Sequence, residues 1–146
     1  MTYCNVLCLG DPEVVGDSVG PLVGSMLKQR GVQAANIVGD LANPVNRANY
    51  HDRINELEAD IPTIVVDAHL AKKAPLFYYS FLKGATVPGI LHGGFEPIGD
   101  FAMRCWTARE PLDLLTVEEA VVQRLARDMT TALLDLINNQ QLKEYI

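Results

Sequence analysis

The sequence has few of the residues on which several common classes of site depend. It contains only three histidines, His51, His69 and His92, and none of them lies in the last third of the chain. A hydrolase with the chain order serine, acid, histidine needs its histidine late in the sequence, so this scarcity argues against that class. Three cysteines are an odd number, and no leader pattern precedes them, which predicts a reducing, cytoplasmic compartment rather than a disulfide framework.

Long apolar runs and an excess of positive charge are also missing. No apolar run approaches the roughly 20 residues that a membrane-spanning helix requires. The net charge is −6, and an acidic chain is repelled by nucleic-acid phosphates and by anionic membrane surfaces. We therefore expect a soluble protein with neither a nucleic-acid nor a membrane partner. A peptide, a small molecule or a metal ion stays open as a partner, and the oligomeric state is not indicated.

Strand and helix patterns alternate along the chain. With 146 residues, 49% of them hydrophobic, the chain is long enough for one α/β domain over residues 1–146. Apolar, β-prone runs predict strands, and apolar residues at helical spacing predict helices. Strands are predicted over residues 3–10, 34–41, 62–70, 75–82 and 99–108, and helices over 19–31, 47–60 and 116–138.

This order of elements predicts a fold class and the place of a site. Alternating strands and helices are typical of a three-layer α/β/α sandwich around a mainly parallel, mixed sheet. Ligands of such sheets bind outside the carboxyl ends of the strands. We therefore expect the loop after the first strand to meet Asp67, which follows the β-branched run Ile64-Val65-Val66, at one rim. The glycine-rich loop between residues 83 and 100 is a further candidate for that rim.

The stretch "GDSVG", residues 16–20, matches the Gly-x-Ser-x-Gly pattern of serine hydrolases. A nucleophile elbow places its serine on a tight turn directly between a strand and a helix, whereas "DPEVVG" separates this motif from the end of the predicted strand. We interpret Ser18 as a helix cap and keep a small serine esterase as the weakest alternative. The loop also lacks the lysine of a P-loop and the spacing of G-x-G-x-x-G, so no nucleotide cofactor is expected.

Acidic residues and histidines fall in three segments that the predicted fold brings to one rim. Carboxylates and imidazoles that converge there can bind a divalent transition metal, or two acids can share a proton and activate a water. Both alternatives stay open on the residues alone. The candidates are Asp11, Glu13 and Asp17 in the first loop, Asp67 and His69 at the third strand, and His92, Glu96 and Asp100 in the later loop.

Residues 6–27, "VLCLGDPEVVGDSVGPLVGSML", resemble the opening of the hydrogenase maturation endopeptidases, in which an apolar strand precedes Gly-Asp-Asp-Gly-x-Gly-Pro and a helix. They are still more similar to an uncharacterised, sporulation-associated branch of that superfamily, in which "TGDSLGPLVG" is typical. The segments "LANPVN", "IVVDAHL" and "PIGDFAM" extend the resemblance over residues 3–105. It implies a phosphorylase/hydrolase-like sandwich and a peptide or protein C-terminal tail as substrate.

The resemblance also implies site residues. In the maturation endopeptidases an acid of the first motif, an aspartate that ends a central strand and a later histidine bind a metal, and these match Asp17, Asp67 and His92, with nickel or zinc as the ion. The related germination protease uses two aspartates in corresponding places without a metal, so Asp17 and Asp67 are the catalytic candidates under either mechanism.

The sequence departs from the family pattern at several places: Gly10-Asp11 replaces Gly-Asn, Ser18 replaces a glycine, and two further departures concern the site residues. Gly16-Asp17 replaces a double aspartate, and the histidine lies several residues before the expected position, near which Glu96 stands. The third site residue is therefore open among His92, Glu96 and His69. The alternative function is a non-catalytic binding or sporulation-associated module with the same fold.

Overall fold

The computed structural model describes residues 2–89 and 95–145. The strands within this part are β1 (Cys4–Cys8), β2 (Ala35–Val38), β3 (Thr63–Leu70), β4 (Tyr78–Lys83) and β5 (Phe101–Ala108). The α-helices are α1 (Val19–Gln29), α2 (Tyr50–Arg53) and α3 (Glu119–Asn138). Short 3-10 turns cover Val15–Asp17, Ile54–Glu56, Pro111–Leu115 and Leu142–Tyr145. None of the helices in the described residues is long and apolar enough to span a bilayer.

The strands form one mixed sheet in the order β2-β1-β3-β5-β4. Strands β2, β1, β3 and β5 run parallel, and β4 pairs antiparallel with β5 at one edge. The carboxyl ends of the four parallel strands therefore meet at one rim. This sheet and its flanking helices confirm the predicted mixed α/β fold.

Helices α1 and α3 cover one face of the sheet. Alternate residues of the central strands point toward them, since successive side chains of a strand point to opposite faces. The buried cluster includes Val6 of β1, Val66 of β3, Met103 of β5, Leu27 of α1 and Leu133 of α3. The cysteines Cys4, Cys8 and Cys105 belong to the same cluster and are free thiols.

The opposite face is covered by less regular structure. The predicted helix over residues 47–60 is shorter than expected, because α2 ends at Arg53 and a single 3-10 turn follows it. The Asn5 side chain explains this end: it accepts a hydrogen bond from the Glu58 N–H at 2.9 Å and donates one to the Glu58 carbonyl at 3.0 Å. These bonds hold the chain against β1 and leave no helical partner for the same groups. The buried cluster on this face contains Leu7, Leu9, Val38, Val45, Tyr50 and Val65.

Helix α3 starts three residues later than the helix predicted over residues 116–138. The helix begins at Glu119 and follows Glu118, whose side chain makes no capping hydrogen bond. The Thr116 hydroxyl instead donates to the Asp113 carbonyl at 3.4 Å, so it closes the turn before the helix. The apolar residues that α3 buries are Val122, Leu125, Ala126, Met129, Leu133, Leu136 and Ile137.

The contact between α1 and the end of β1 depends on Gly20. A Cβ atom at this position would lie 2.0 Å from the Leu9 carbonyl oxygen, which is far inside van der Waals contact. Helix and strand can approach this closely only if the side chain is missing. The same contact sets the position of the loop between β1 and α1, which carries Asp17.

We therefore expect Gly20→Ala to lower the free energy of unfolding by ~1–3 kcal/mol, as overpacked sites do. The exposed Gln29 of the same helix supplies the control, since Gln29→Ala should change the free energy by no more than ~0.5 kcal/mol. Urea unfolding followed by circular dichroism measures both. Equal stability of Gly20→Ala and the wild type would contradict the proposed steric role.

Candidate functional site

A cleft of about 680 Å³ lies at the carboxyl rim of the parallel strands. Its position matches the rim at which ligands of this sheet class bind. The segments after β1, β2 and β5 and the end of β3 form its walls. The residues that line it include Asp11 and Asp17 after β1, Asn46 and Arg47 after β2, His69 and Leu70 of β3, and Pro111 and Leu114 after β5.

Asp17 lies in the 3-10 turn between β1 and α1 and lines the cleft. Its Oδ2 accepts the Asp11 N–H at 3.0 Å, and the residue is only 8% exposed. Burial raises the pKa of Asp17 from 3.8 to about 7, the hydrogen bond from Asp11 lowers it, and the Asp11 charge raises it. The carboxyl therefore exists in both protonation states near neutral pH.

Asp67 is fully buried within β3. The strand continues beyond this residue, because β3 pairs with β5 as far as Leu70, in agreement with the strand predicted over residues 62–70. Its Oδ2 accepts the Gly89 N–H at 2.6 Å, whereas Oδ1 has no hydrogen-bond partner within the described residues. Burial raises the pKa of Asp67 well above its usual range, the Gly89 hydrogen bond lowers it, and the negative charge of Asp17 raises it.

The structure thus brings Asp17 and Asp67 into electrostatic contact. The Asp17 charge acts on the pKa of Asp67, and the two carboxyls share surroundings that penalise ionisation. A pair of this kind ionises in two separate steps, because the first charge opposes the second. The raised pKa values of both groups therefore favour a protonated carboxyl beside an ionised one, which is the condition for acid and base roles at one site.

His69 is the described histidine that reaches this site. Its Nε2 lies 3.5 Å from Asp67 Oδ2, and the register of β3 shifts between His69 and Leu70 at the cleft. Burial and, to a smaller extent, the positive charge of Arg104 together lower the pKa of His69 to about 4. The imidazole is therefore neutral at physiological pH, and its contact with the Asp67 carboxyl is not an ion pair.

The other candidates lie away from the cleft or outside the structure. His92 falls outside the described residues. Glu96 is exposed and is not among the described residues of the cleft wall. Asp100 accepts the Thr63 N–H at 2.9 Å, so it belongs to the amino end of β3 at the opposite rim.

Metal binding stays a prediction. Within residues 2–89 and 95–145, no group of three or more histidine, cysteine, aspartate or glutamate side chains is arranged to hold a metal ion. Asp17 and Asp67 supply two carboxylates, and each already accepts a backbone hydrogen bond. The described residues alone therefore do not make a three-ligand site, and the predicted nickel or zinc ion depends on His92.

Ser18 has a different role from the predicted helix cap. It occupies the residue before α1, but its side chain makes no capping hydrogen bond. The hydroxyl donates to the Val15 carbonyl at 2.7 Å, so it closes the turn that carries Asp17. Strand β1 ends at Cys8, and Ser18 is not on a direct turn between strand and helix, which agrees with the rejection of a nucleophile elbow.

Sequence reasoning missed two parts of the site. The Gly89 N–H that binds Asp67 belongs to a loop from which only polar side chains had been considered. Arg47 was assigned to a helix, yet it lines the cleft from the loop before α2. The pair of asparagines in "NRAN", residues 46–49, could have indicated a loop here, because asparagine side chains favour hydrogen bonds to nearby backbone in turns.

The raised pKa of Asp17 predicts a pH-dependent effect of Asp17→Asn. Above pH 3.8 the unfolded chain releases this proton while the folded chain retains it until about pH 7, so wild-type stability falls across that window. The ~3-unit shift corresponds to ~4 kcal/mol. We expect Asp17→Asn to gain stability relative to the wild type by up to this amount between pH 4 and pH 8. Urea unfolding at both pH values measures it.

The control is Asp128→Asn, at an exposed position of α3. Its stability relative to the wild type should be the same at both pH values. A stability difference for Asp17→Asn that does not change with pH would contradict the raised pKa.

The fold is similar to that of two solved proteases. The NiFe hydrogenase maturation protease HycI from Thermococcus kodakarensis KOD1 has a TM-score of 0.62 at 14% identity, over 94% of this chain and 93% of that one. The NiFe hydrogenase maturation protease HybD from Thermococcus kodakarensis has a TM-score of 0.53 at 14% identity, over 90% of this chain and 99% of that one. These similarities establish the α/β fold.

Sequence comparison adds a curated relative and a family. The chain is 36% identical over 87 residues to the uncharacterized protein YyaC of Bacillus subtilis (strain 168), which covers 58% of this chain and 42% of that protein. The chain thus spans about two fifths of the length of this relative. A family model described as protein of unknown function (DUF1256) matches residues 3–105. Because this match covers most of the sequence, the chain belongs to the DUF1256 family.

Proposed function

We propose that the protein is a cytoplasmic peptidase that hydrolyses a peptide bond in a peptide or protein C-terminal tail, with Asp17 and Asp67 as its catalytic pair. The observation that carries the proposal is the coupled, buried pair of carboxyls beside an open cleft at the carboxyl rim. The fold, which is shared with hydrogenase maturation proteases, agrees with this reaction class but does not by itself assign it.

The two carboxyls divide the acid and base roles. Asp17 lines the cleft and has a pKa of about 7, so its deprotonated form accepts a proton from the attacking water. The water oxygen then bonds to the peptide carbonyl carbon. The pKa of Asp67 is raised well above its usual range, which favours its protonated form, and we assign to this form the hydrogen bond to the carbonyl oxygen as negative charge develops there. When the C–N bond breaks, the proton on Asp17 passes to the leaving amine.

The walls of the cleft suit an extended peptide. Leu70, Pro111 and Leu114 supply apolar surface on the side of β3 and β5. Asn46 and Arg47 supply polar groups on the side of β2. A volume of about 680 Å³ lies within the range of ligand-binding clefts, roughly 300–1,000 Å³.

A divalent metal is the alternative way to polarise the carbonyl. The resemblance to maturation endopeptidases implies nickel or zinc on Asp17, Asp67 and His92, and such an ion would act as a Lewis acid. The described residues provide two of these three ligands. We therefore derive the reaction through the two aspartates.

A non-catalytic binding module is the second candidate function. The complete burial of Asp67 favours it, because this carboxyl is not among the described residues of the cleft wall and is not exposed to a peptide bound there. The association with sporulation implied by the resemblance stays a prediction. A module of this kind binds a peptide in the cleft without cleaving it. A measurement of peptide cleavage therefore distinguishes it from the proposed peptidase.

Asp17→Asn should lower the rate of peptide cleavage by ~10²–10⁴-fold, because an amide is not a general base. Asp67→Asn should lower it by at least ~10-fold, because an amide donates a weaker hydrogen bond to the developing oxyanion. The measurement incubates each protein with peptides from a digested bacterial proteome and counts new amino termini by mass spectrometry.

Asp128→Asn, at an exposed position of α3, is the matched control and should cleave at the wild-type rate. If the wild type creates no new amino termini, the peptidase proposal is wrong and the binding module takes its place. If Asp17→Asn cleaves at the wild-type rate, the assignment of the catalytic pair is wrong.

The two-aspartate mechanism predicts that EDTA leaves the cleavage rate unchanged. Neither the proton transfer from water nor the hydrogen bond to the carbonyl oxygen requires an ion. Loss of activity with EDTA and its recovery with nickel or zinc would support the metal alternative instead. Calorimetry would then show metal binding that both Asp17→Asn and His92→Gln abolish.

A further inference from the structure

The charges around the cleft are unevenly placed. Among the described residues of its walls, Arg47 is the single lysine or arginine, while Asp11 and Asp17 are the acids. Arg47 belongs to the loop after β2, and both acids belong to the loop after β1, the neighbouring strand. The cleft therefore has one cationic end beside the proposed catalytic carboxyl.

The loop that carries Arg47 is fixed to the rest of the protein on both sides of this residue. Before it, the buried Val45 forms a parallel bridge with Leu9 at the end of β1. After it, the Asn46 N–H donates to Asn49 Oδ1 at 2.8 Å, and the Asn49 N–H donates to Asn46 Oδ1 at 2.9 Å. The backbone is thus held in one conformation before any ligand binds, which lowers the entropic cost of binding.

A second arginine holds the same loop from behind. Arg53 donates through Nη1 to the carbonyls of Asn43 at 2.8 Å and Pro44 at 3.2 Å. Its Nε lies 2.5 Å from Glu56 Oε2. The side chain of Arg53 is therefore used within the fold.

Arg47 is not used in this way. Within residues 2–89 and 95–145, its guanidinium makes neither a hydrogen bond nor an ion pair, and the residue is exposed at the cleft. A fixed loop that presents an unengaged arginine to a cleft has the form of a recognition element for an anion.

We propose that Arg47 selects the substrate by binding a carboxylate of the peptide in the cleft. This inference rests on the proposed peptidase function and names its substrate class. The planar guanidinium matches the two oxygens of a carboxylate, and the Asn46 side chain lies beside it on the same wall. The carboxylate that Arg47 binds is either the C-terminal carboxylate of the tail or the side chain of an acidic residue.

A carboxylate suits the charges of the cleft better than a phosphate group does. One arginine neutralises one carboxylate, whereas a phosphate group carries up to two charges and would face Asp11 and Asp17 with a single cation.

Three sets of short dye-labelled peptides with random uncharged residues test the proposal. One set ends in a free carboxylate, one in a carboxamide, and one in a carboxamide with a single internal glutamate. Binding is measured by fluorescence anisotropy with the wild type, Arg47→Gln, Arg47→Lys and Arg124→Gln. Arg124 lies exposed on α3, away from the cleft wall, so its variant is the matched control.

We expect at least one carboxylate-bearing set to bind ~10-fold more tightly than the carboxamide set, the size of one charge-assisted hydrogen bond. Arg47→Gln should remove this preference, Arg47→Lys should retain part of it, and Arg124→Gln should retain all of it. The set that shows the preference identifies the C-terminal or the side-chain carboxylate as the group bound.

Equal binding of all three sets by the wild type, absence of binding, or an unchanged preference in Arg47→Gln would each overturn the proposal. The measurement needs no turnover, so its result is separate from that of the cleavage assay. Cleavage without an Arg47-dependent preference rejects the role of Arg47 alone. A preference without cleavage rejects the peptidase function and leaves Arg47 as the anchor of a peptide-binding module.

Discussion

The burial of two carboxyl groups at the carboxyl rim is the constraint on which the site depends. A buried carboxylate loses its hydration, and the loss is offset only by hydrogen bonds or by protonation. Asp17 receives one backbone N–H from Asp11, and Asp67 receives one from Gly89. With so few donors among the described residues, burial prevails and the pKa of both carboxyls is raised. The close contact of α1 with β1 at Gly20 holds this arrangement in place.

The regular elements around the pair could be predicted because their residues repeat. The β-branched run of β3 and the apolar stripe of α1 carry the periods of a buried strand and of an amphipathic helix. Residues 47–60 also carry helical spacing, yet only α2 forms there. The difference comes from Asn5, a residue far away in sequence whose side chain binds the backbone of Glu58. A local pattern contains no information about such a partner.

The same distinction applies to the site. Asp17 and Asp67 stand out because one lies in the loop after the first predicted strand and the other near the carboxyl end of the third, and the carboxyl ends of parallel strands meet at one rim. Arg47 reaches that rim because β2 lies beside β1, and the order of strands in a sheet is not encoded in the spacing of apolar residues. The backbone N–H of Gly89 leaves no mark in the sequence either, since every residue except proline has one. Groups that act through the backbone, or through strand order, become visible only in three dimensions.

The fold alone does not separate a peptidase from a binding module, because one fold supports many functions. The environment of Asp17 is the observation that favours the proposed peptidase. A carboxyl with a purely structural role gains most from several hydrogen-bond donors, which stabilise its charged form and lower its pKa. Asp17 has one described backbone donor and faces a cleft. Its negative charge raises the pKa of Asp67. With a pKa of about 7, Asp17 exchanges its proton readily near neutral pH, which is what a general base requires and what a structural carboxyl avoids.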